Sequence, residues 1–492
     1  MSRYAWVVDE MTRAAGVRDD SLGDGELDGP LVLGVVLLTV LHWGSLALRL
    51  PLAQSLRGWF LGYSELPFGS VWPLPLLLVS LVGGTVLVFR RSQATRSVLF
   101  ALFGLGFVLQ VGLSALEGRG LDALRDPLVR IGGHGEMFDV AIAEPSLLDV
   151  VENYEAYSAS DRLMHYAQSK PPGFIIGYML TERMASLGQA REPVARKARA
   201  ATLGALGGAL LSFAAVFPLF YFARLYLSDR DAMAASLLYL VVPSVQLING
   251  HLDQVLFPTL AILTLAMTGH GMRSGSLALI GGAGAVLAVS TFISFSLLPV
   301  VPLVGVVLAT EARRIDEASA GRSAFISSGL AFAGCAAAVL LVFYVAFNYD
   351  PILRFKNAMA YHAAWKSLPA DMRTVVYTSI LNWIEFGTWL GVPISFAWAG
   401  GTLMSLSAFL RREERSIDFL MLGTALVVLL MCAFGRTMAE VARLWMFLVP
   451  LVCFFTVATV TQTLRGDAAR GLVGLIALQA VTVLMLKRFC DI

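Results

Sequence analysis

Apolar runs of about twenty residues recur along this chain, and they limit its fold more than any other feature. A helix needs ~20 apolar residues to cross the hydrocarbon core, and it satisfies its own backbone hydrogen bonds there. We read about 13 such spans. The first three are residues 31–50, 70–90 and 97–116, followed by 200–222, 232–249, 253–270, 275–291, 295–310 and 323–347. The last four are 385–410, 416–434, 443–462 and 470–487. The runs are continuous, whereas a membrane β-barrel shows short alternating segments. The expected fold class is therefore an all-α polytopic membrane protein. Composition agrees, with 57% hydrophobic and 15% charged residues against about 25% charged in soluble domains. A net charge of +2 gives no footing for a nucleic-acid partner; membrane lipids are the expected surroundings.

The spans divide the chain into a polar N-terminal segment 1–30, three spans within 31–116, a large polar stretch 117–199, spans within 200–347, a second polar stretch 348–384, and C-terminal spans within 385–492. Segment 1–30 has seven acidic residues against three arginines and no apolar core, so it does not read as a cleavable signal. Short basic loops mark the cytoplasmic side: Arg90-Arg91 with Arg96, Arg313-Arg314, Arg411-Arg412 with Arg415, and Arg465 with Arg470 all fall on one side when the N-terminus is cytoplasmic. Both long polar stretches then lie outside. The cluster Arg191, Arg196, Lys197 and Arg199 falls outside too, as an anion site or because long loops obey the rule weakly. Residues 172–190 carry Glu182 and Arg183, which favours a juxtamembrane helix lying on the outer surface over a further span. The four cysteines, Cys335, Cys432, Cys453 and Cys490, have no metal-binding or disulfide spacing. Glycines within the spans read as helix-packing positions.

Chemistry-bearing residues gather in 134–173. Glu136 and Asp139, spaced i, i+3, share a helix face, and either could act as general base on a hydroxyl acceptor. His134 and His165 stand nearby. Lys170-Pro171-Pro172-Gly173 starts a helix, since proline suits a first turn; a cation held at a helix N-terminus calls for an anion beside it. Further on, His251 and Asp253 occupy a tight corner between apolar runs, where ionisable groups default to function. Glu136, His251 and Asp253 are candidate ligands for a divalent cation. In the late segment, Glu440 and Arg443 pair at i, i+3 ahead of Trp445, so that Arg443 could meet a phosphate. The second polar stretch adds Asp350, Arg354, Lys356, His362, Trp365 and Lys366.

On these residues the chain resembles the GT-C membrane glycosyltransferases, in their aminoarabinose-transferase and protein-mannosyltransferase branch. Glu136 with Phe138 stands where that family has Asp-Glu-x-Tyr, Lys170-Pro171-Pro172-Gly173 matches its juxtamembrane element, Arg199 its arginine entering the next span, and Asp253 its later aspartate. The chain departs from the pattern at Gly135, which replaces the acidic neighbour of Glu136. It also has two spans more than usual before the catalytic loop and no large C-terminal soluble domain.

The resemblance implies a GT-C-like bundle in a plasma (inner) membrane with its site on the extracytoplasmic face. It implies inverting transfer of a sugar from a polyprenyl-phosphate donor to a lipid, glycan or protein acceptor. Glu136 or Asp139 would be the base. Lys170, Arg199 and Arg443 would hold the donor phosphate, and His134, His165, His251, Asp253 and Glu440 would position donor and acceptor. Two other classes are kept: a transporter or flippase, which would carry mid-membrane charges and broken inverted-repeat helices, and an inactive scaffold of the same fold.

Overall fold

The computed structural model describes residues 29–491 apart from 51–61, 64–67, 91–95, 131–133, 145, 161, 162, 164, 188–191, 249, 316, 367–370, 435, 436, 438 and 439. Almost all regular structure is helical; the exception among the described residues is a two-residue antiparallel pairing of Gly62–Tyr63 with Cys490–Asp491.

Among the described residues, ten stretches are long and apolar enough to cross a membrane, by length and composition. The difference from the expected 13 has identifiable causes. The run 232–249 is broken by Pro243 into Asp229–Tyr239 and Pro243–Leu247 and is buried inside the bundle. Leu277–Ile293 is 17 residues, just short of a full span. The two last expected spans form one apolar stretch, Met446–Phe489, whose helices Val449–Leu464 and Ala468–Phe489 meet at a turn. The expected span 385–410 also differs: it is split at Gly391 into Met372–Leu390 and Val392–Leu410. Gly391 has φ +90°, and the Gln479 amide donates to the Leu390 carbonyl at 2.6 Å, capping a group the break sets free.

Packing sorts the helices by environment. The 30-residue helix Ala318–Phe347 lies along Leu277–Ile293 and buries very little of its apolar surface. With Leu33, Leu37, Leu330, Leu341, Val345, Leu426 and Leu430 it leaves large apolar side chains uncovered, as a lipid-facing surface requires. The described residues of 117–199 do not extend as a loose loop. Short helices fold over the end of the bundle around a second, smaller core that includes Leu128, Met137, Phe138, Tyr154, Phe174 and Tyr178. Within it, Gly173–Ser186 packs against Gly135–Ala143 and Pro193–Leu211. At 14 residues it rises about 21 Å, too short for a ~30 Å core.

Candidate active site

Pro171 and Pro172 end the turn after His165–Gln168, and Gly173 opens the next helix. Gly173 is required there: a Cβ would sit 2.4 Å from the Phe292 carbonyl oxygen at the end of Leu277–Ile293. This close approach turns Lys170 into the bundle. Its ammonium is 2.8 Å from the Asp253 carboxylate and 4.0 Å above the Phe174 ring, with the two charged side chains 11% and 2% exposed. The anion called for by a cation at this helix start is thus, within the chain, Asp253. The Tyr154 hydroxyl donates to the Lys170 carbonyl at 3.1 Å and fixes the backbone there. Burial lowers the Lys170 pKa, Asp253 opposes that, and the nearby Arg443 guanidinium adds to it.

Beside this pair the rings of His134 and His251 meet edge to face at 3.9 Å, and His134 Nδ1 is 2.7 Å from the Tyr178 hydroxyl. Burial, reinforced by Lys170 and Arg443, pushes both imidazoles well below their ordinary pKa of 6.5. Both are therefore neutral, and each can act as a donor or acceptor rather than as a cation.

Across from Lys170 lies a cavity of about 450 Å³. Its polar end is lined by Lys170, Gln254, Glu440, Arg443 and Trp445; Arg443 and Glu440 are ion-paired. Its other walls are Pro302, Val427, Leu430, Met431 and Phe434, from membrane helices, and Leu430 and Phe434 are exposed on the lipid-facing side. Phe355, Met359 and His362 of the helix Pro351–Lys366 close one flank.

The other expected residues lie apart from this cavity's lining. Glu136 is half-buried in the first turn of Gly135–Ala143. Asp139, one turn on, is 55% exposed and bound to Lys197 at 2.7 Å. Gly135 cannot carry the family's acidic side chain on this backbone, because a Cβ would fall 2.5 Å from the carbonyl oxygens of Val129 and Arg130. Arg199 is exposed and lines a separate shallow depression with Arg125. The basic cluster around it is largely matched within the chain: Arg196 bonds Glu182 at 2.8 Å and Lys197 bonds Asp139. Arg191 and Arg436 lie outside the described residues, as does the side chain of His165, whose backbone opens a one-turn helix.

Among the described residues no three His, Cys, Asp or Glu side chains converge as a metal site. Of the candidate ligands, Asp253 is taken by Lys170, and two cationic side chains adjoin His251. This donor set does not fit a divalent cation.

No family model matches the sequence, and no curated protein matches it. Among solved structures, the apo oligosaccharyltransferase of Archaeoglobus fulgidus aligns with TM-score 0.51 and 14% identity over 81% of this chain and 56% of the archaeal one. The two chains share a fold. A second crystal structure of that oligosaccharyltransferase, in complex with zinc and sulfate, aligns with TM-score 0.40 and 14% identity over 79% of this chain and 53% of that one. This chain thus spans a little over half the length of the archaeal protein it matches. The all-α bundle of apolar helices expected from sequence is the fold observed, and it is shared with the archaeal protein.

Two residues of the site were not singled out by sequence. Gln254, an uncharged neighbour of Asp253, carries no signal of its own. Glu385, at the edge of an apolar run, accepts the Ala442 N–H at 3.0 Å and so holds the turn that presents Arg443; its isolation among apolar residues was an available signal. Arg354, named among the polar residues of the second stretch, is fully buried, which its sequence context does not show.

Proposed function

We propose that this protein is a membrane glycosyltransferase acting on a polyprenyl-phosphate-linked sugar. The observation that carries this reading is the cavity: a cationic, hydrogen-bonding end continuous with an apolar wall built from membrane helices. A lipid phosphate needs both halves, and charge-assisted contacts are strongest where water is excluded. Lys170 and Arg443 flank the place for the phosphate, and Pro302, Val427, Leu430, Met431 and Phe434 flank the place for the chain. The fold shared with an oligosaccharyltransferase supports the same reading.

In the reaction the acceptor hydroxyl gives its proton to a carboxylate, and its oxygen attacks the anomeric carbon from the side opposite the phosphate. The bond from that carbon to the phosphate oxygen breaks, and the lipid phosphate leaves with the electron pair, stabilised by Lys170 and Arg443. We assign the base to Glu136, which is half-buried in the first turn of Gly135–Ala143, whereas Asp139 is 55% exposed. His134, one turn-position before Gly135–Ala143 and against His251, ties that helix to the Lys170–Asp253 pair. Asp253 orients Lys170, and Glu440 orients Arg443. Arg199, expected at the donor phosphate, lines a separate depression with Arg125 and has no part in this scheme.

The cavity also supports an extracytoplasmic location. It is lined by the C-terminal end of Ser416–Phe434 and by residues just before and within the start of Val300–Ala312, while the opposite ends of the same helices meet Arg313, Arg415 and the 2.7 Å Arg313–Glu414 pair. The 19 residues of Ser416–Phe434 span about 28 Å, roughly one hydrocarbon core. The basic end is the cytoplasmic one.

The test is transfer from radiolabelled polyprenyl-phosphate sugars to membrane acceptors by protein in lipid nanodiscs. Glu136→Gln is expected to abolish transfer and Asp139→Asn to retain most of it. The reverse pattern moves the base to Asp139, and a wild-type protein with neither transfer nor phosphate-dependent lipid binding sinks the proposal.

A further inference from the structure

Apart from the cavity, the fold builds a second concave place, a shallow depression of about 510 Å³ between the helices Gly173–Ser186 and Pro193–Leu211. Arg199, Thr202, Leu203 and Leu206 form one wall, at the i, i+3, i+4 and i+7 spacing of a single helix face. Met184, 62% exposed, supplies the facing wall, and Arg125 lines the depression from the short helix Asp122–Arg125. Among the described residues the lining holds two guanidinium groups and no carboxylate.

The depth of this helix face decides what adjoins it. No charged residue lies between Arg199 and Arg224, so these two bracket the apolar part of the span. Arg199 therefore stands at the level of lipid headgroups, where arginines end a membrane helix. Leu203, Leu206 and the exposed Leu210 continue inward along the same side of the helix. From Arg199 to Leu210 the helix rises about 16 Å, half of a ~30 Å hydrocarbon core and so the depth of one leaflet. Guanidinium groups at the top and leucines down one leaflet give the depression the polarity of a phospholipid.

We infer that this depression holds one anionic phospholipid, with its phosphate between Arg125 and Arg199 and an acyl chain along Leu203, Leu206 and Leu210. The guanidinium fork bonds phosphate oxygens in pairs, and charge on both sides strengthens those bonds. A zwitterionic headgroup brings its own ammonium up to two arginines; an anionic one does not, and basic pockets beside membrane helices select it for that reason. Arg125 has a partner within the chain, Asp122 at 2.9 Å, but the two side chains are 36% and 57% exposed. A pair so open to water holds weakly and yields to a phosphate. The lipid touches both helices, so it joins the end of Gly173–Ser186 to the span and braces the helix that starts at the Lys170-Pro171-Pro172-Gly173 corner. The site is independent of the glycosyl-donor reading, since it shares no lining residue with the donor cavity.

The experiment measures binding of radiolabelled phosphatidylglycerol and phosphatidylcholine to the full chain in detergent. The wild type is expected to bind phosphatidylglycerol tenfold or more tighter than phosphatidylcholine. Arg125→Gln with Arg199→Gln is expected to weaken phosphatidylglycerol by tenfold or more and to leave phosphatidylcholine within twofold. Arg125→Lys with Arg199→Lys keeps the charge and is expected to lose less. Arg313→Gln, an exposed arginine on the opposite, basic end of the bundle, is expected to change neither lipid. Phosphatidylglycerol should also raise the melting temperature of the wild type but not of the Gln variant, whose own melting transition shows that it is folded. Equal binding of the two lipids by the wild type overturns the inference, as does a Gln variant that keeps the full preference or a Lys variant that loses as much as the Gln one. Displacement of the lipid by inorganic phosphate also overturns it, because the site would then take the free anion.

Discussion

At the scale of the residue, the Lys170–Asp253 pair shows how burial changes the worth of a charge. Both side chains are almost withdrawn from solvent, so neither can lose its partner cheaply. Lys170→Met should lower stability by about 3–5 kcal/mol because Asp253 is then left charged and buried. Lys170→Met with Asp253→Leu should recover part of that loss, and thermal melts of the three proteins in detergent check the order. The neighbouring imidazoles make a pH prediction. Burial holds His134 and His251 neutral in the folded state, well below 6.5, whereas in the unfolded chain they take up protons near that value. The unfolded state therefore binds more protons as pH falls below about 6.5. Stability is full above that pH and should decline below it, by up to ~1.4 kcal/mol per pH unit for each imidazole. Melting temperatures taken from neutral to mildly acid pH should fall more steeply in the wild type than in His251→Asn.

At the scale of the element, Arg354 joins two polar stretches nearly two hundred residues apart. Its guanidinium donates to Ser158 Oγ at 2.5 Å, to the Gln168 carbonyl at 2.8 Å and to Glu155 at 3.4 Å, and it lies 5.5 Å from the Tyr154 ring centre. Asn357, one turn later, donates to the same Glu155 carboxylate at 2.5 Å. The helix Pro351–Lys366 is thereby riveted to the segment whose Tyr154 holds the Lys170 carbonyl, and its Phe355, Met359 and His362 are set into the cavity wall. Arg354→Gln should cost roughly 2–3 kcal/mol, the scale of one or two charge-assisted hydrogen bonds. Hydrogen exchange should speed up in both 154–170 and 351–366, whereas a purely local role would loosen only the second.

At the scale of the whole molecule, the cavity end and the basic end of the bundle lie on opposite sides of one membrane thickness. In a protein whose four native cysteines are replaced, Leu148→Cys and Arg411→Cys, both exposed positions, should react with an impermeant thiol reagent from opposite faces of sealed vesicles. Labelling of both from one side would overturn the proposed topology and with it the outward-facing site. Leu430 and Phe434, exposed and lining the cavity, mark the side from which the proposed lipid donor would enter.

Much of this was legible along the chain. Apolar runs set the class of fold, since helices alone among open structures satisfy their backbone in lipid, and the Lys170-Pro171-Pro172-Gly173 corner marked where a cation would be held. The sequence also pointed to Asp253, His251, Glu440 and Arg443, though not to which of them meet. Pairing is a matter of distance across the fold, and only the tertiary structure decided it: Asp253 with Lys170, His251 with His134, and Asp139 with Lys197 rather than with the cavity. Burial was equally hidden. Arg354 and Gln254 have the composition of a wet loop, and their weight comes from the loss of water around them, which no local pattern encodes. The breaks at Pro243 and Gly391 were written in the residues, but whether a hydrophobic run continues past such a point depends on what caps the freed backbone, here Gln479 for the carbonyl of Leu390 and Gln246 for that of Leu240. Hydrophobic length is a property of the chain; the partner of a buried polar group is a property of the fold.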